Sequence, residues 1–142
     1  MARRNIRIDT ESGAQEMLFE ALKCKAERYP ELVLLHHIPN GGKRDKATAI
    51  ALKRQGVKAG VPDLCLPVAR GGYYGLYIEL KVGKNTTTKL QDEWIRQLNN
   101  QGYMATVCRG WQEAAELIIE YLESEITPLR QWKNQTNRKE RG

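Results

Sequence analysis

Two adjacent runs of strand-forming residues, joined by a pair of glycines, constrain the fold of this chain more than any other stretch. The segment VPDLCLPVARGGYYGLYIELKVGK (61–84) places apolar, β-branched and aromatic residues on either side of Gly71-Gly72. Such a pattern is typical of a β-hairpin. We predict strands over 63–68 and 75–82.

Three charged residues interrupt this apolar hairpin, and they bear on its function. Glu79 and Lys81 project from one face of the second strand, about 7 Å apart, because side chains alternate along a strand. Asp63 begins the first strand and would lie beside the far end of the second. Burying isolated charges is costly unless they are compensated. The charges therefore either face water on an edge strand or surround a metal ion.

The metal alternative has a chemical rationale. Carboxylates from two neighbouring strands are the hard oxygen ligands that magnesium prefers. A lysine two residues further on would position an attacking water or stabilise charge on a phosphoryl oxygen. Asp63, Glu79 and Lys81 are therefore candidate catalytic residues of a phosphodiester hydrolase.

The rest of the chain predicts a single α/β domain. Residues 11–28, 43–56, 86–100 and 111–123 have helical spacing of apolar residues, whereas 31–38 and 103–108 have strand composition. The order α-β-α-β-β-α-β-α predicts a mixed central sheet flanked by helices. We place the domain at 1–126 and predict that 127–142, which is basic and poor in apolar residues, is a flexible arm.

Composition excludes several classes of protein. The chain has 142 residues, 41% of them hydrophobic, which suits one soluble domain. No apolar run approaches the ~20 residues of a membrane span, and no secretory signal begins the chain. The three cysteines form no CxxC pair, which disfavours disulfides and a thiolate zinc site. We expect a cytoplasmic protein.

The net charge of +6 is unevenly distributed. Basic residues concentrate near both termini and in one internal stripe, which comprises Lys43, Arg44, Lys46, Lys53, Arg54 and Lys58. A stripe of this kind suits a polyanion such as nucleic acid. A solvated surface that aids solubility is the alternative.

Several separated blocks, in order, resemble one nuclease family. They are HIPNGGKR (37–44), QGVKAGVPDLCLPV (55–68), GLYIELKV (75–82), the pair Gln91 and Trp94, and GYMATVCRGW (102–111). Pro62-Asp63 followed by Glu79-Leu80-Lys81 resembles the PD-(D/E)xK nucleases. The blocks together resemble their VRR-NUC branch, small phage and bacterial nucleases that are also found fused in repair enzymes. The resemblance covers residues 11 to about 123.

This resemblance implies a restriction-endonuclease-like fold and Mg²⁺-dependent hydrolysis of DNA, with Mn²⁺ as a possible substitute. Some members prefer Holliday junctions or flaps. The implied metal ligands are Asp63, Glu79, the carbonyl of Leu80 and a glutamate of the first helix. The implied catalytic set is Asp63, Glu79, Lys81 and Gln91.

Two of these assignments have alternatives. Glu11 continues the inward face of the first helix and precedes Gln15 by four residues, as in the family, whereas Glu16 falls on the wet side. Thr88 and Gln91 also fit a capping box, in which Gln91 would only bond the start of its helix.

The resemblance places the loop containing Asn40 near the substrate. The candidate nucleic-acid-binding residues are therefore Asn40, Lys43, Arg44, Lys53, Arg54 and Lys58. His36 and His37 are adjacent on a predicted strand and point to opposite faces, which predicts one core and one surface histidine rather than a metal site. Trp94 and Trp111 are predicted to be core residues, while Trp132 in the basic arm would stack on a base or on a partner subunit.

The sequence thus predicts a metal-dependent DNA endonuclease, and the resemblance adds selectivity for branched structures such as Holliday junctions or flaps as an expectation. The alternatives are a sequence-specific restriction-type endonuclease and a basic DNA-binding module without catalysis. Because branched DNA needs cuts on two strands and one compact domain offers one site, we also expect a homodimer. If the chain is encoded by a phage, its compartment is the host cytoplasm.

Overall fold

The computed structural model describes residues 5–40 and 44–130. Its helices are α1 (Glu11–Leu22), α2 (Lys46–Arg54), α3 (Lys89–Asn100) and α4 (Gly110–Glu123). Its strands are β1 (His36–His37), β2 (Leu64–Leu66), β3 (Leu76–Lys81) and β4 (Met104–Arg109). The predicted order of helices and strands is confirmed.

The four strands form one mixed sheet in the order β1-β2-β3-β4. The β1/β2 and β2/β3 pairs are antiparallel, and β3/β4 is parallel. Leu64 lies opposite Ile78, so the register places Asp63, one residue earlier, opposite Glu79. The predicted hairpin therefore exists, and its second strand is central in the sheet.

One face of β3 builds the hydrophobic core. Leu76, Ile78 and Leu80 are almost completely buried, and α1 and α4 contact this strand. The core also contains Ala14, Leu18, Leu22, Ala114, Ile118, Tyr121 and Leu122 from these two helices. Each fully buried aliphatic side chain contributes about 1.5–3 kcal/mol. The two helices therefore cover this face, and Tyr77, Glu79 and Lys81 project from the other.

Two predicted elements differ from the structure. Residues 31–38 were predicted as a strand, but Pro30–Leu34 forms a 3₁₀ helix and only His36–His37 pairs with β2. The first helix is shorter than 11–28, because Lys23–Lys25 tightens into a 3₁₀ turn after Leu22, as helix ends often do.

The histidine prediction is wrong. His36 and His37 are both exposed, because β1 is a two-residue strand at the edge of the described sheet. Their Nδ1 atoms lie 2.9 Å from the carbonyl oxygen of Leu34 and 2.8 Å from that of Asp63, respectively.

The described chain stays packed slightly beyond the predicted domain boundary. Ile126 forms a β-bridge with Arg70, and the buried Thr127 accepts a hydrogen bond from Gly72 N at 3.0 Å. Most of the predicted arm, with Trp132, lies outside the described residues. None of the described helices is long and apolar enough to cross a membrane.

Gly13 fixes the start of α1, and with it the position of Glu11. Thr10 caps the helix by accepting a hydrogen bond from Gly13 N at 3.0 Å. A Cβ atom at Gly13 would lie 1.5 Å from the carbonyl oxygen of Arg7. Glycine is required here because the preceding turn passes directly against the helix.

We expect Gly13→Ala to lower the free energy of unfolding by about 1–3 kcal/mol, since the backbone must move to accept the methyl group. Ser12→Ala is the matched control: Ser12 is exposed in the same turn, and its replacement should change stability by less than about 0.5 kcal/mol. Urea unfolding measures both. Equal stability of the two variants would contradict the close approach at Gly13.

Candidate active site

Glu79 and Lys81 are buried, with only 2% and 6% of their surfaces exposed. Both lie on β3, which has a strand on each side. The alternative in which these charges face water on an edge strand is therefore excluded. Charges in such a place need partners, and the surrounding contacts supply most of them.

Asp63 is fixed by both its carboxylate and its backbone. Its Oδ2 accepts a hydrogen bond from Leu80 N at 2.9 Å. Its carbonyl oxygen accepts one from Ile38 N at 2.7 Å and lies 2.8 Å from His37 Nδ1. The carboxylate therefore sits just beyond the end of β2, against the strand that carries Glu79.

Glu79 is held through one oxygen only. Its Oε1 accepts a hydrogen bond from Gln91 Nε2 at 2.9 Å and lies 3.5 Å from Lys81 Nζ. Its Oε2 is buried and has no hydrogen-bond partner among the described residues. Burial, with a further contribution from the neighbouring Asp63 carboxylate, raises the pKa of Glu79 to about 7, although Lys81 opposes the shift.

Gln91 caps its helix and also contacts the acidic pair. Its Oε1 accepts from Thr88 N at 2.9 Å, and its backbone N donates to Thr88 Oγ1 at 3.2 Å, which completes the capping box. The side-chain Nε2 remains available for Glu79. An amide has separate donor and acceptor groups, so capping the helix and holding the carboxylate are compatible.

Glu11 meets the site through Lys81. Its Oε1 lies 3.6 Å from Lys81 Nζ and accepts a hydrogen bond from Asn85 Nδ2 at 3.4 Å. Glu16 lies more than one helical turn further along α1. The buried ammonium of Lys81 thus has a carboxylate oxygen from α1 and one from β3 within 3.6 Å.

The donor set at the end of β3 fits a hard divalent cation. Two carboxylates meet in a place with little water, and the unpartnered Oε2 of Glu79 needs either a proton or a cation. Oxygen donors of this kind suit Mg²⁺ or Mn²⁺. Within residues 5–40 and 44–130, no three side chains of His, Cys, Asp or Glu come close enough together to form a metal-binding group. Asp63 and Glu79 are thus the pair that the structure brings together.

Comparison with known proteins shows the family to which the chain belongs. The VRR-NUC domain family matches residues 9–112. The chain belongs to the VRR-NUC family. It is 33% identical to a solved VRR_NUC domain protein, with a TM-score of 0.70 over 84% of this chain and 93% of that one. No protein of curated function matches the chain.

VRR-NUC domains form a nuclease family, so the basic stripe predicted to bind nucleic acid is of interest. Its described residues are all exposed. All nine residues of α2 are described, and none is buried. Asn40 was predicted to contact the substrate. Its Nδ2 donates to the carbonyl oxygen of Lys58 at 2.7 Å, a contact that joins the two ends of the segment containing α2. Lys43 lies outside the described residues.

The sequence alone missed two residues of the site. Arg109 donates from Nη1 to the carbonyl oxygens of Gly83 and Asn85, at 3.2 and 2.7 Å, and so fixes the turn that follows β3. Asn85 in turn contacts Glu11. Gly83 in the sequence favours a turn after β3. It does not indicate that Arg109 holds this turn, because that contact depends on the parallel pairing of β3 with β4.

Trp94 of this VRR-NUC domain was predicted to be a core residue, and that prediction is wrong. Trp94 is half-buried and lies outside the core cluster, and its Nε1 donates to the carbonyl oxygen of Ala59 at 3.1 Å. Helical spacing could not indicate that Trp94 would meet the loop at Ala59 rather than the core. Trp111 does pack against the core, as predicted.

Without metal, we expect the raised pKa of Glu79 to appear as pH-dependent stability. The pKa of the Glu79 carboxyl is about 7 in the folded protein, above its value in the unfolded chain. Protonation of this carboxyl therefore stabilises the fold, and the effect is complete at a pH below the unfolded pKa. That stabilisation is lost as the pH rises through 7. Glu79→Gln removes this titration. Relative to wild type, the variant should therefore gain roughly 2 kcal/mol of stability between pH 5 and pH 8.

Urea unfolding in EDTA at both pH values measures this difference. Glu93→Gln is the control, because that exposed carboxylate has a lowered pKa from its pairing with Arg96 and should show no such gain. If the free energies of unfolding of wild type and Glu79→Gln differed by the same amount at pH 5 and pH 8, the raised pKa of Glu79 would be contradicted.

Proposed function

We propose that this VRR-NUC domain is a divalent-metal-dependent DNA endonuclease. The observation that carries the proposal is the buried Glu79 carboxylate, which has one oxygen without a partner, opposite Asp63 and 3.5 Å from the Lys81 ammonium. Structural charges are normally paired fully. An incompletely satisfied acidic pair beside a buried cation is typical of a site that awaits a ligand.

Asp63 and Glu79 would hold Mg²⁺, or Mn²⁺ in its place, together with the carbonyl of Leu80. Glu11 contacts Lys81 and would have to approach the acidic pair to become a further ligand. A bound ion of this kind lowers the pKa of a coordinated water and neutralises charge on the scissile phosphate. The chain's own residues do the positioning. Leu80 N keeps the Asp63 carboxylate in place, and Gln91 fixes one oxygen of Glu79 so that the other stays free.

Lys81 would act on the reacting groups directly. Lys81 is only 6% exposed, and its ammonium lies within 3.6 Å of one oxygen of Glu79 and one of Glu11. These contacts leave it with hydrogen-bonding capacity, because an ammonium has three donors. In a site with little water, such a donor stabilises charge that grows on a phosphoryl oxygen and orients an attacking water.

Duplex DNA would be gripped through its backbone. The candidate contacts are Asn40, Lys43, Arg44, Lys53, Arg54 and Lys58, and the described cations among these are exposed. Contacts of lysine and arginine with phosphates carry no sequence information and weaken with salt. Selectivity for a junction or a flap would come from shape, and a twofold homodimer would supply the second site for paired cuts.

The decisive experiment compares variants of the acidic pair and the lysine. We expect Asp63→Asn and Lys81→Ala to cut DNA at least about a hundredfold more slowly, because each removes a group that acts in the transition state. Affinity for DNA in EDTA should not weaken. Duplex, single-stranded, flap and four-way-junction substrates with Mg²⁺ or Mn²⁺, mapped on denaturing gels, measure cleavage and reveal the preferred structure.

Asp9→Asn is the matched control, since Asp9 is an exposed carboxylate paired with Arg7 and should leave cleavage unchanged. Full activity of Asp63→Asn and Lys81→Ala would eliminate this active site. Wild-type protein that shifts DNA but never cuts it with either ion would instead indicate a binding module without catalysis.

The grip on DNA has its own test. We expect the double variant Lys53→Gln/Arg54→Gln to bind DNA more weakly and to reduce the slope of log affinity against log salt by about 2, because two phosphate contacts are lost. Lys23→Gln, which removes a lysine paired with Glu20 on α1, is the control. Unchanged affinity and slope in the double variant would show that α2 does not contact the DNA backbone.

A further inference from the structure

The loop between α2 and β2 connects the exposed basic helix to Asp63. We call residues 57–62 the strap. Since no residue of α2 is buried, packing of the helix itself cannot fix the geometry at Asp63. Leu80 N of β3 and Ile38 N hold Asp63 directly, and the strap that leads into this residue is a further constraint on its position.

Three consecutive residues of the strap are fastened to other parts of the domain. Asn40 Nδ2 donates to the carbonyl oxygen of Lys58 at 2.7 Å, and Trp94 Nε1 donates to that of Ala59 at 3.1 Å. Gly60 lies so close to α3 that a Cβ atom there would come within 2.8 Å of Leu90. Its φ of +92° also favours glycine.

Two of these three fastenings come from the helix that also holds Glu79. Gln91 and Trp94 are three residues apart on α3 and therefore lie on neighbouring turns of one face. Gln91 holds Glu79 at 2.9 Å, while Trp94 holds the strap four residues before Asp63. A single rigid helix thus bonds to both halves of the acidic pair, directly on one side and through the strap on the other.

We propose that Trp94 is a positioning residue, which holds the strap against α3 so that Asp63 stays beside Glu79. Asn40 assists by fastening Lys58, a role for this residue other than contact with the substrate. The proposal rests on the proposed nuclease function for its effect on cleavage, but not for its effect on the strap. Catalytic groups that move by about 1 Å lose much of their rate advantage, so a small loosening of the strap is enough to matter.

Trp94→Phe tests this role, because phenylalanine keeps an aromatic ring but lacks the N–H donor, and Trp111→Phe loses the same part of the indole elsewhere in the fold. Trp111→Phe is the matched control on α4, where the indole packs against the core. Three measurements are made on the full chain: the rate of tryptic cleavage after Lys58 relative to that after Lys25, Mn²⁺ binding by calorimetry, and kcat and KM for DNA cleavage.

We expect Trp94→Phe to be cut by trypsin after Lys58 several times faster than wild type and to bind Mn²⁺ more weakly. Its kcat should fall about three- to tenfold, the effect of one lost hydrogen bond, with KM unchanged. Trp111→Phe should match wild type in relative tryptic cleavage, Mn²⁺ binding, kcat and KM, whatever its effect on thermal stability.

Wild-type tryptic and Mn²⁺-binding behaviour of Trp94→Phe would overturn the proposal, whether or not the wild-type protein cuts DNA. Changes in Trp111→Phe equal to those in Trp94→Phe would also overturn it, since they would indicate general loosening of the fold. If wild type cuts no DNA, but Trp94→Phe alone opens the strap and weakens Mn²⁺ binding, the positioning role stands and the nuclease function fails.

Discussion

The close approach of Asp63 and Glu79 is the interaction on which the rest of the site depends. Two like charges in apolar surroundings repel each other and lose their hydration, and the raised pKa of Glu79 expresses this cost. The fold tolerates the pair because donors are built in around it: Leu80 N for one carboxylate, and Gln91 Nε2 with Lys81 for the other. One buried oxygen is left over. The domain therefore loses stability through this arrangement, and the divalent cation proposed above would compensate for that loss.

Local register explains why much of this site could be predicted. Alternation along a strand places Glu79 and Lys81 on one face, and a hairpin around Gly71-Gly72 brings Asp63 opposite. The capping box likewise fixes the orientation of Gln91 from residues three positions apart. Each of these inferences uses neighbours in sequence or one strand pairing, so the backbone geometry leaves few alternatives. Burial of both charges could not be deduced in the same way, because it depends on β4 pairing with the other side of β3.

Features that depend on tertiary contacts were the ones that sequence reasoning missed. The pattern of 31–38 suits a strand, but the chain has a partner for only His36 and His37, and the preceding residues close into a 3₁₀ helix. Trp94 occupies the predicted face of α3, yet a loop rather than the core meets it. Arg109 and Asn85 gain their roles only after β3 and β4 lie side by side. In each case the outcome depends on contacts with a distant part of the chain, which the local pattern does not indicate.

The domain separates the residues that would grip DNA from those that would cut it, and the separation has a physical basis. The cations of α2 are exposed and no residue of the helix is buried. Substitutions there therefore cost little stability and can change the affinity for DNA or the preference for one DNA structure. Asp63, Glu79 and Lys81 are tied to the central strand and to one another, and loss of one member leaves a buried charge without its partner. The strap joins the two regions at Asp63. Changes of substrate preference within such a fold are therefore expected in α2 and its flanking loops, whereas the chemistry stays with β3 and α3.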